Sequence, residues 1–214
     1  MPRSSNSGAN SRQLPPAAII FDIGRVILRL DPRQVTSILH SKKMESPEKI
    51  WADIQLDPLW LDWQEGRLAP RDWCAHLSNR YNLRVSFDQF CRAWCSVILP
   101  GQLLPNSLFA RLSQRCRLLL LSNTDPLHVE YQLSHFTFMR YFSAQILSCR
   151  IGASKPQPKI YQAAIHAAGA PPSRILYVDD ILAYVRVGRR MGLDAIQFTS
   201  PRQLNAALRL RSLL

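Results

Sequence analysis

Acidic and polar side chains close three short apolar runs in this 214-residue chain. Runs this short and continuously apolar are typical of parallel strands that are buried on both faces. Ligands of an open α/β sheet bind where such strands end, so we expect the closing residues to converge on one site. They are Asp22, Ser122 with Asn123, and Asp179 with Asp180, at the ends of the runs AAIIFD, LLLLS and RILYVDD.

Asp179 and Asp180 are adjacent carboxylates after the most apolar run in the second half of the chain. Two acids at a partly buried strand end repel each other and lose hydration, so they need a positive partner. A divalent cation provides one, and Mg²⁺ is the usual choice where phosphate completes the coordination shell. Because side chains alternate along an extended chain, we expect one acid to bind the ion directly and the other to act through water or to hold a neighbour.

Two further groups fit an anionic ligand. Lys155 lies in the loop GASKP before a predicted helix, where its ammonium would neutralise charge in a transition state beside Asp22 and a phosphate. Ser122, Asn123 and Thr124 offer hydroxyl, amide and backbone N–H donors where a helix begins. Together these residues predict a phosphate site.

The elements that must position these residues follow from the apolar pattern. Five strands are predicted, at residues 17–22, 118–122, 145–148, 174–180 and 194–198. Helical patterns lie between the later strands, at residues 127–138, 158–168 and 182–191. This alternation predicts an α/β fold with a doubly wound parallel sheet.

The alternation is interrupted once, between residues 32 and 104, where helical periodicity replaces the strand pattern. All five tryptophans lie in this stretch, at Trp51, Trp60, Trp63, Trp73 and Trp94. We therefore expect residues 32–104 to form a small helical cap over the sheet edge, with one or two of these rings at the mouth of the pocket. Residues 17–31 and 105–214 then form the α/β core, and residues 1–16 a disordered tail.

Composition excludes several classes of function. The net charge of +12 comes from dispersed arginines, with no tract longer than Arg189-Arg190, whereas a nucleic-acid interface would be clustered. Five cysteines without a C-x-x-C pair indicate reduced thiols and no zinc site. No apolar run approaches membrane-spanning length and no signal peptide is recognisable, so we expect a cytoplasmic protein, as a monomer or homodimer.

Four stretches in order, FDIGRVILRLD, LSNTDPLH, GASKPQPKIYQAA and ILYVDD, resemble the four motifs of the haloacid dehalogenase superfamily. The resemblance runs from about Ile19 to Phe198 and is closest to the α-D-glucose-1-phosphate phosphatases. It implies a hydrolase that uses Mg²⁺ to remove phosphate from a small metabolite, a sugar phosphate above all, through an aspartyl-phosphate intermediate.

The resemblance also implies a role for each matched position. Asp22 matches the nucleophile, Lys155 the charge-neutralising lysine, and Ser122 with Asn123 the phosphate-binding motif. The Mg²⁺ ligands would be Asp180 with Asp179 in support, Asp22 as a shared ligand, and the backbone carbonyl of Gly24. Residues 32–104 match the cap that closes over the substrate.

Gly24 is the main departure from the family pattern. Most family phosphatases place an aspartate there as general acid and base, a contribution worth roughly 10²–10⁴-fold in rate. The glucose-1-phosphate phosphatases resemble this chain in having glycine, so we hypothesise that Gly24 favours anomeric sugar phosphates, whose leaving oxygen is more acidic. His128 is a candidate substitute acid, although the favoured interpretation is that it caps or packs beside a helix.

A second departure from the family pattern follows the acidic pair. Tyr184-Val-Arg186 stands where relatives more often carry a helix start of small polar residues, and we interpret it as sequence drift. The cap residues Asp31 and Glu65-Gly66-Arg67 resemble family cap features, with their roles open.

Two other functions fit the same residues. A 2-haloacid dehalogenase shares the fold and the aspartate nucleophile and needs neither metal nor leaving-group acid, but the pair Asp179-Asp180 favours Mg²⁺ and therefore phosphate. A catalytically weak binding protein with the same fold is the third hypothesis, because fold alone does not establish activity.

Overall fold

A computed structural model describes residues 14–36 and 46–214. Among these residues the chain forms seven strands: β1 (Ala18–Phe21), β2 (Leu28–Leu30), β3 (Ile98–Gln102), β4 (Arg117–Ser122), β5 (Ala144–Leu147), β6 (Ile175–Asp179) and β7 (Asp194–Gln197). Five of them form a parallel sheet in the order β5-β4-β1-β6-β7. The predicted α/β fold with a doubly wound parallel sheet is confirmed. Most of the predicted tail, residues 1–16, lies outside the described residues.

The helices are α1 (Arg33–Thr36), α2 (Pro47–Gln55), α3 (Trp60–Gln64), α4 (Pro70–Tyr81), α5 (Phe87–Cys95), α6 (Asn106–Ser113), α7 (Pro126–His135), α8 (Ser148–Ile151), α9 (Pro158–Ala168), α10 (Leu182–Arg190) and α11 (Pro201–Leu210). Several begin with proline, whose fixed φ and missing N–H suit the first helical turn. The predicted helix at 158–168 matches α9. The predicted helix at 127–138 is too long at its carboxyl end, because α7 ends at His135. Helices α6, α8 and α11 were not predicted. No helix in the described part of the chain is both long and apolar enough to span a bilayer.

The central strand β1 is buried on both faces. Ile19 and Phe21 point to the face that packs against α6, α11 and the inserted helices. Ala18 and Ile20 point to the opposite face, which packs against α9 and α10. All four side chains are fully buried, which explains why this strand is a continuous apolar run.

Helices α1 to α5 lie between β2 and β3, which pair antiparallel beside the sheet. The expectation of helical structure alone across residues 32–104 is therefore wrong at Ile98–Gln102, which is β3. This segment contains Pro100 and Gly101, which are unusual inside strands, and its pairing partner lies about seventy residues away. The β2-β3 pair brings the two ends of the helical stretch together.

Candidate active site

The carboxyl groups of Asp22, Asp179 and Asp180 meet at the carboxyl ends of β1 and β6. One oxygen from each lies within 4.8 Å of the other two. The register of the sheet causes this, because Phe21 pairs with Val178 and the backbone N–H of Asp22 donates to the Val178 carbonyl at 2.9 Å. Asp179 is fully buried and Asp22 almost so, whereas Asp180 is partly exposed.

Lys155 joins two of these acids from a loop on the other side of the site. Its Nζ donates to Asp22 Oδ1 at 2.8 Å and to Asp179 Oδ2 at 2.6 Å, and its side chain is buried. Burial disfavours the ammonium, but the charges of the two carboxylates outweigh it and raise the pKa of Lys155 above its ordinary value. Lys155 is therefore a permanent cation at neutral pH.

Asn123 fixes the loop that carries Lys155. Its Oδ1 accepts from the backbone N–H of Lys155 at 2.7 Å, and its Nδ2 donates to the Lys155 carbonyl at 2.9 Å. The sequence predicted that Asn123 binds phosphate, but it did not predict this contact with the Lys155 backbone. One amide hydrogen of Asn123 is left for a ligand.

Negative charge exceeds positive charge among Asp22, Asp179, Asp180 and Lys155, which are three carboxyl groups beside one ammonium. Burial raises the pKa of Asp22 to about 7, an effect that Lys155 opposes and Asp179 and Asp180 strengthen. Burial and the neighbouring Asp179 also raise the pKa of Asp180. Clustered carboxylate oxygens with unbalanced charge are the donor set that suits Mg²⁺.

Asp179 is held by more donors than its neighbour. Besides Lys155, it accepts from the Tyr177 hydroxyl at Oδ2 and from the backbone N–H of Ile181 at Oδ1, at 2.8 Å. The sequence did not predict a role for Tyr177. The available signal was its position two residues before Asp179, which places both side chains on one face of the strand. This arrangement supports the expectation that one acid of the pair holds neighbours in place.

These residues open onto a cavity of about 270 Å³. Gly24, Ser122, Asn123 and Asp180 all line it, so every predicted site residue except the buried Asp179 faces the same space. A Cβ atom on Gly24 would lie 2.8 Å from Leu30 Cδ1. The room that an aspartate would need at this position is thus partly filled by a leucine side chain.

His128 lines the cavity with both ring nitrogens engaged. Its Nδ1 lies 2.6 Å from Asp125 Oδ2, and its Nε2 lies 3.0 Å from the Trp94 carbonyl oxygen. Burial lowers its pKa, but the Asp125 carboxylate more than offsets this, so the net shift is upward. Two acceptors on one ring favour the imidazolium, which donates to both. The geometry agrees with a packing role and leaves His128 no free proton for a leaving group.

A loop of the helical insertion docks beside Lys155. Glu65 Oε1 accepts from Ser154 Oγ at 2.8 Å and from Gln157 Nε2 at 2.6 Å, on either side of the lysine. The next residue, Gly66, has φ +72°, and a Cβ there would lie 2.1 Å from the Cys149 carbonyl oxygen. Only glycine permits this contact, which gives a structural role to residues whose role the sequence left open.

The fold and this arrangement of acids and lysine define a class of protein. The chain belongs to the haloacid dehalogenase-like hydrolase family, whose model matches residues 83–192. It is 24% identical over 190 residues to the D-ribitol-5-phosphate phosphatase of Bacteroides thetaiotaomicron, across 84% of this chain and 90% of that protein.

Solved structures are similar over most of the chain. A HAD family enzyme of Bacteroides thetaiotaomicron, in complex with magnesium and inorganic phosphate, superposes with a TM-score of 0.75 and 22% identity, covering 87% of this chain and 96% of that one. The L-2-haloacid dehalogenase of Xanthobacter autotrophicus has a TM-score of 0.60 and 20% identity, covering 92% and 86%. The predicted superfamily is confirmed, whereas membership of the glucose-1-phosphate phosphatase group stays a prediction.

Proposed function

We propose that this protein is a Mg²⁺-dependent phosphatase that hydrolyses a small phosphorylated metabolite, with sugar and sugar-alcohol phosphates as the favoured class. The observation that carries the proposal is the convergence of Asp22, Asp179, Asp180 and Lys155 at one cavity. The cavity volume of about 270 Å³ lies below the range of roughly 300–1,000 Å³ for drug-sized ligands, which supports a small substrate. The similarity to a D-ribitol-5-phosphate phosphatase points the same way.

In the proposed reaction a carboxylate oxygen of Asp22 attacks phosphorus, and the bond from phosphorus to the leaving oxygen breaks. The leaving oxygen takes its proton from water, since Gly24 supplies no acid. A water molecule then attacks phosphorus, the bond from phosphorus to the Asp22 oxygen breaks, and the proton lost by this water neutralises the hydroxide left by the first step. Inorganic phosphate leaves and the Asp22 carboxylate is regenerated. Throughout, Lys155 offsets negative charge beside the nucleophile.

Asp22, Asp179, Asp180 and the carbonyl of Gly24 would hold Mg²⁺. When bound, the ion supplies the positive charge that lets an anionic carboxylate approach an anionic phosphate. Ser122 and Asn123 line the cavity beside these acids and are proposed to bind phosphate oxygens. A cytoplasmic location and a monomeric or homodimeric state stay predictions.

Hydrolysis of p-nitrophenyl phosphate tests the proposal. Asp22→Asn and excess EDTA should each abolish phosphate release, and Mg²⁺ should restore the activity of the EDTA-treated wild type. The exposed Asp88→Asn is the matched control and should behave as wild type. Phosphate release that survives both treatments would refute the assignment.

The same samples separate the two other hypotheses. A 2-haloacid dehalogenase would release chloride from 2-chloropropionate in the presence of EDTA, whereas we expect no chloride release. A binding protein would show no phosphatase activity that Asp22→Asn removes.

A further inference from the structure

Gln132 has a buried side-chain oxygen without a partner. Across residues 14–36 and 46–214, four buried polar side-chain atoms lack a hydrogen bond: Trp63 Nε1, Trp73 Nε1, Gln132 Oε1 and Gln203 Oε1. Of these four residues, only Gln132 lines the cavity that contains Asp22. Folded proteins leave few buried polar atoms unpaired, so an exception at a cavity wall calls for a physical reason.

The position of Gln132 on α7 places it away from the reacting acids. The helix starts directly after Asp125, its N-cap, next to the Ser122-Asn123 stretch. Gln132 lies one turn beyond His128 on the same helix face, and both residues line the cavity. Seven residues of helix separate Asp125 from Gln132, or about 10 Å along the axis. A phosphate near Ser122 would leave Gln132 within the region of the leaving group.

Residues of the helical insertion line the same cavity as Gln132. Trp51 and Trp60 are half-buried rings with centroids 6.0 Å apart, and Gln55 of α2 and Gln64 of α3 also line the cavity. Apolar ring faces combined with a few amides suit a ligand that has a carbon skeleton and hydroxyl groups. A purely apolar leaving group would satisfy the rings and leave the amides unpaired.

We infer that Gln132 is a specificity-determining residue, whose Oε1 accepts a hydrogen bond from a hydroxyl of the substrate's polyhydroxylated carbon chain. The inference rests on the proposed function and names the part of the substrate that helix α7 recognises. A carbonyl oxygen can accept only from a donor, and the leaving group of a sugar or sugar-alcohol phosphate supplies donors through its hydroxyls. Sites built to pair a hydroxyl discriminate strongly against analogues that lack it, because the buried partner stays unpaired.

The test compares Gln132→Met, which keeps the length of the side chain, with wild type on D-ribitol 5-phosphate, D-glucose 1-phosphate and n-pentyl phosphate. Wild type should prefer at least one polyhydroxylated substrate over pentyl phosphate. The variant should lose at least about tenfold in kcat/KM on that substrate and stay within about twofold on pentyl phosphate. Because the substitution removes an unpaired buried amide oxygen, the thermal unfolding midpoint of Gln132→Met should equal or exceed that of wild type.

Gln203→Met is the matched control, since Gln203 also has an unpaired buried amide oxygen but does not line the cavity. It should keep the substrate preference of wild type. Equal losses of Gln132→Met on all three substrates, or an unchanged preference, would overturn the inference while the phosphatase assignment stands. A wild type that hydrolyses none of these compounds nor p-nitrophenyl phosphate would overturn the proposed function itself.

Discussion

Lys155 contributes to stability as well as to the proposed chemistry. It is a buried cation between two buried carboxylates, and each member of this group would be costly without the others. Asn123 and Tyr177 add hydrogen bonds that keep the lysine backbone and Asp179 in place. The site is thus arranged before any ligand binds, which favours catalysis because no reorganisation is needed during the reaction.

Lys155→Met should lower the free energy of unfolding by about 3–5 kcal/mol, because it leaves two buried carboxylates without their counterion. Urea unfolding in EDTA measures this loss. Added Mg²⁺ should recover more stability in the variant than in wild type, since the ion replaces the missing charge. Tyr177→Phe keeps all charges and should cost only about 1–2 kcal/mol. If Lys155→Met were as stable as wild type in EDTA, the buried carboxylates would not depend on Lys155 as their counterion, and this prediction would be wrong.

Gly24 lies two residues after Asp22 and has no acidic side chain, so this position cannot protonate the leaving group. Introducing one requires space, because the new Cβ would lie only 2.8 Å from Leu30 Cδ1 and the leucine side chain would have to move. We expect Gly24→Asp with Leu30→Ala to raise kcat/KM for an alkyl phosphate by about tenfold or more, within the range of general acid catalysis. The gain on p-nitrophenyl phosphate should be smaller, because that leaving group needs no proton. Leu30→Ala alone is the control, and equal gains on both substrates would contradict this explanation.

Glu65 and Gly66 show how a short loop can couple two elements. The loop after α3 contacts Ser154, Gln157 and Cys149, which flank the segment that carries Lys155. Burial raises the pKa of Glu65, but hydrogen bonds from Ser154, Arg67 and Gln157 outweigh it, so the net shift is downward and favours the ionised carboxylate. The position of the helical insertion is thereby linked to the position of the lysine.

Glu65→Ala should weaken this link. We expect a loss of about 1–3 kcal/mol in unfolding free energy, because the donors of Ser154 and Gln157 lose a buried acceptor. The value of kcat/KM for p-nitrophenyl phosphate should fall about tenfold, since small displacements of catalytic groups are expensive. Asp62→Ala removes the exposed partner of Arg67 on the same loop and should cost under about 1 kcal/mol with unchanged activity. Wild-type kinetics for Glu65→Ala would disprove the coupling.

At the scale of the whole molecule, the helical insertion shares its core with the sheet. The buried rings of Trp63 and Trp94 belong to one apolar cluster with Phe21 of β1 and Phe109 of α6. Trp94 also donates from Nε1 to Asp125 at 3.1 Å, which ties α5 to the start of α7. The insertion therefore has little core that is separate from the rest of the protein.

We expect a single cooperative unfolding transition for this reason. All five tryptophans lie in the insertion, so their fluorescence reports its unfolding, whereas far-UV circular dichroism reports the whole chain. The two signals should give the same midpoint in urea. A fluorescence midpoint at clearly lower urea would mean that the insertion unfolds by itself.

The sequence alone determined the features that depend on local pattern. Burial on both faces makes β1 and β6 continuous apolar runs, and a parallel sheet places the acids at their carboxyl ends, Asp22 and Asp179, at one edge. The order along the chain of the five sheet strands and of α7, α9 and α10 followed from the same periodicity. Residue types at strand ends were enough to predict the acids as candidates, and Lys155 was added from its loop before a predicted helix.

Only the tertiary structure decided which distant groups touch. The contact of Lys155 with Asp22 spans 133 residues and that of Glu65 with Ser154 spans 89. The pairing of β2 with β3 and the unpaired oxygen of Gln132 are likewise set by the packing of distant segments. Periodicity reports which face of an element is buried, but it carries no information on what that face meets, because that depends on the volumes and shapes of residues elsewhere in the chain.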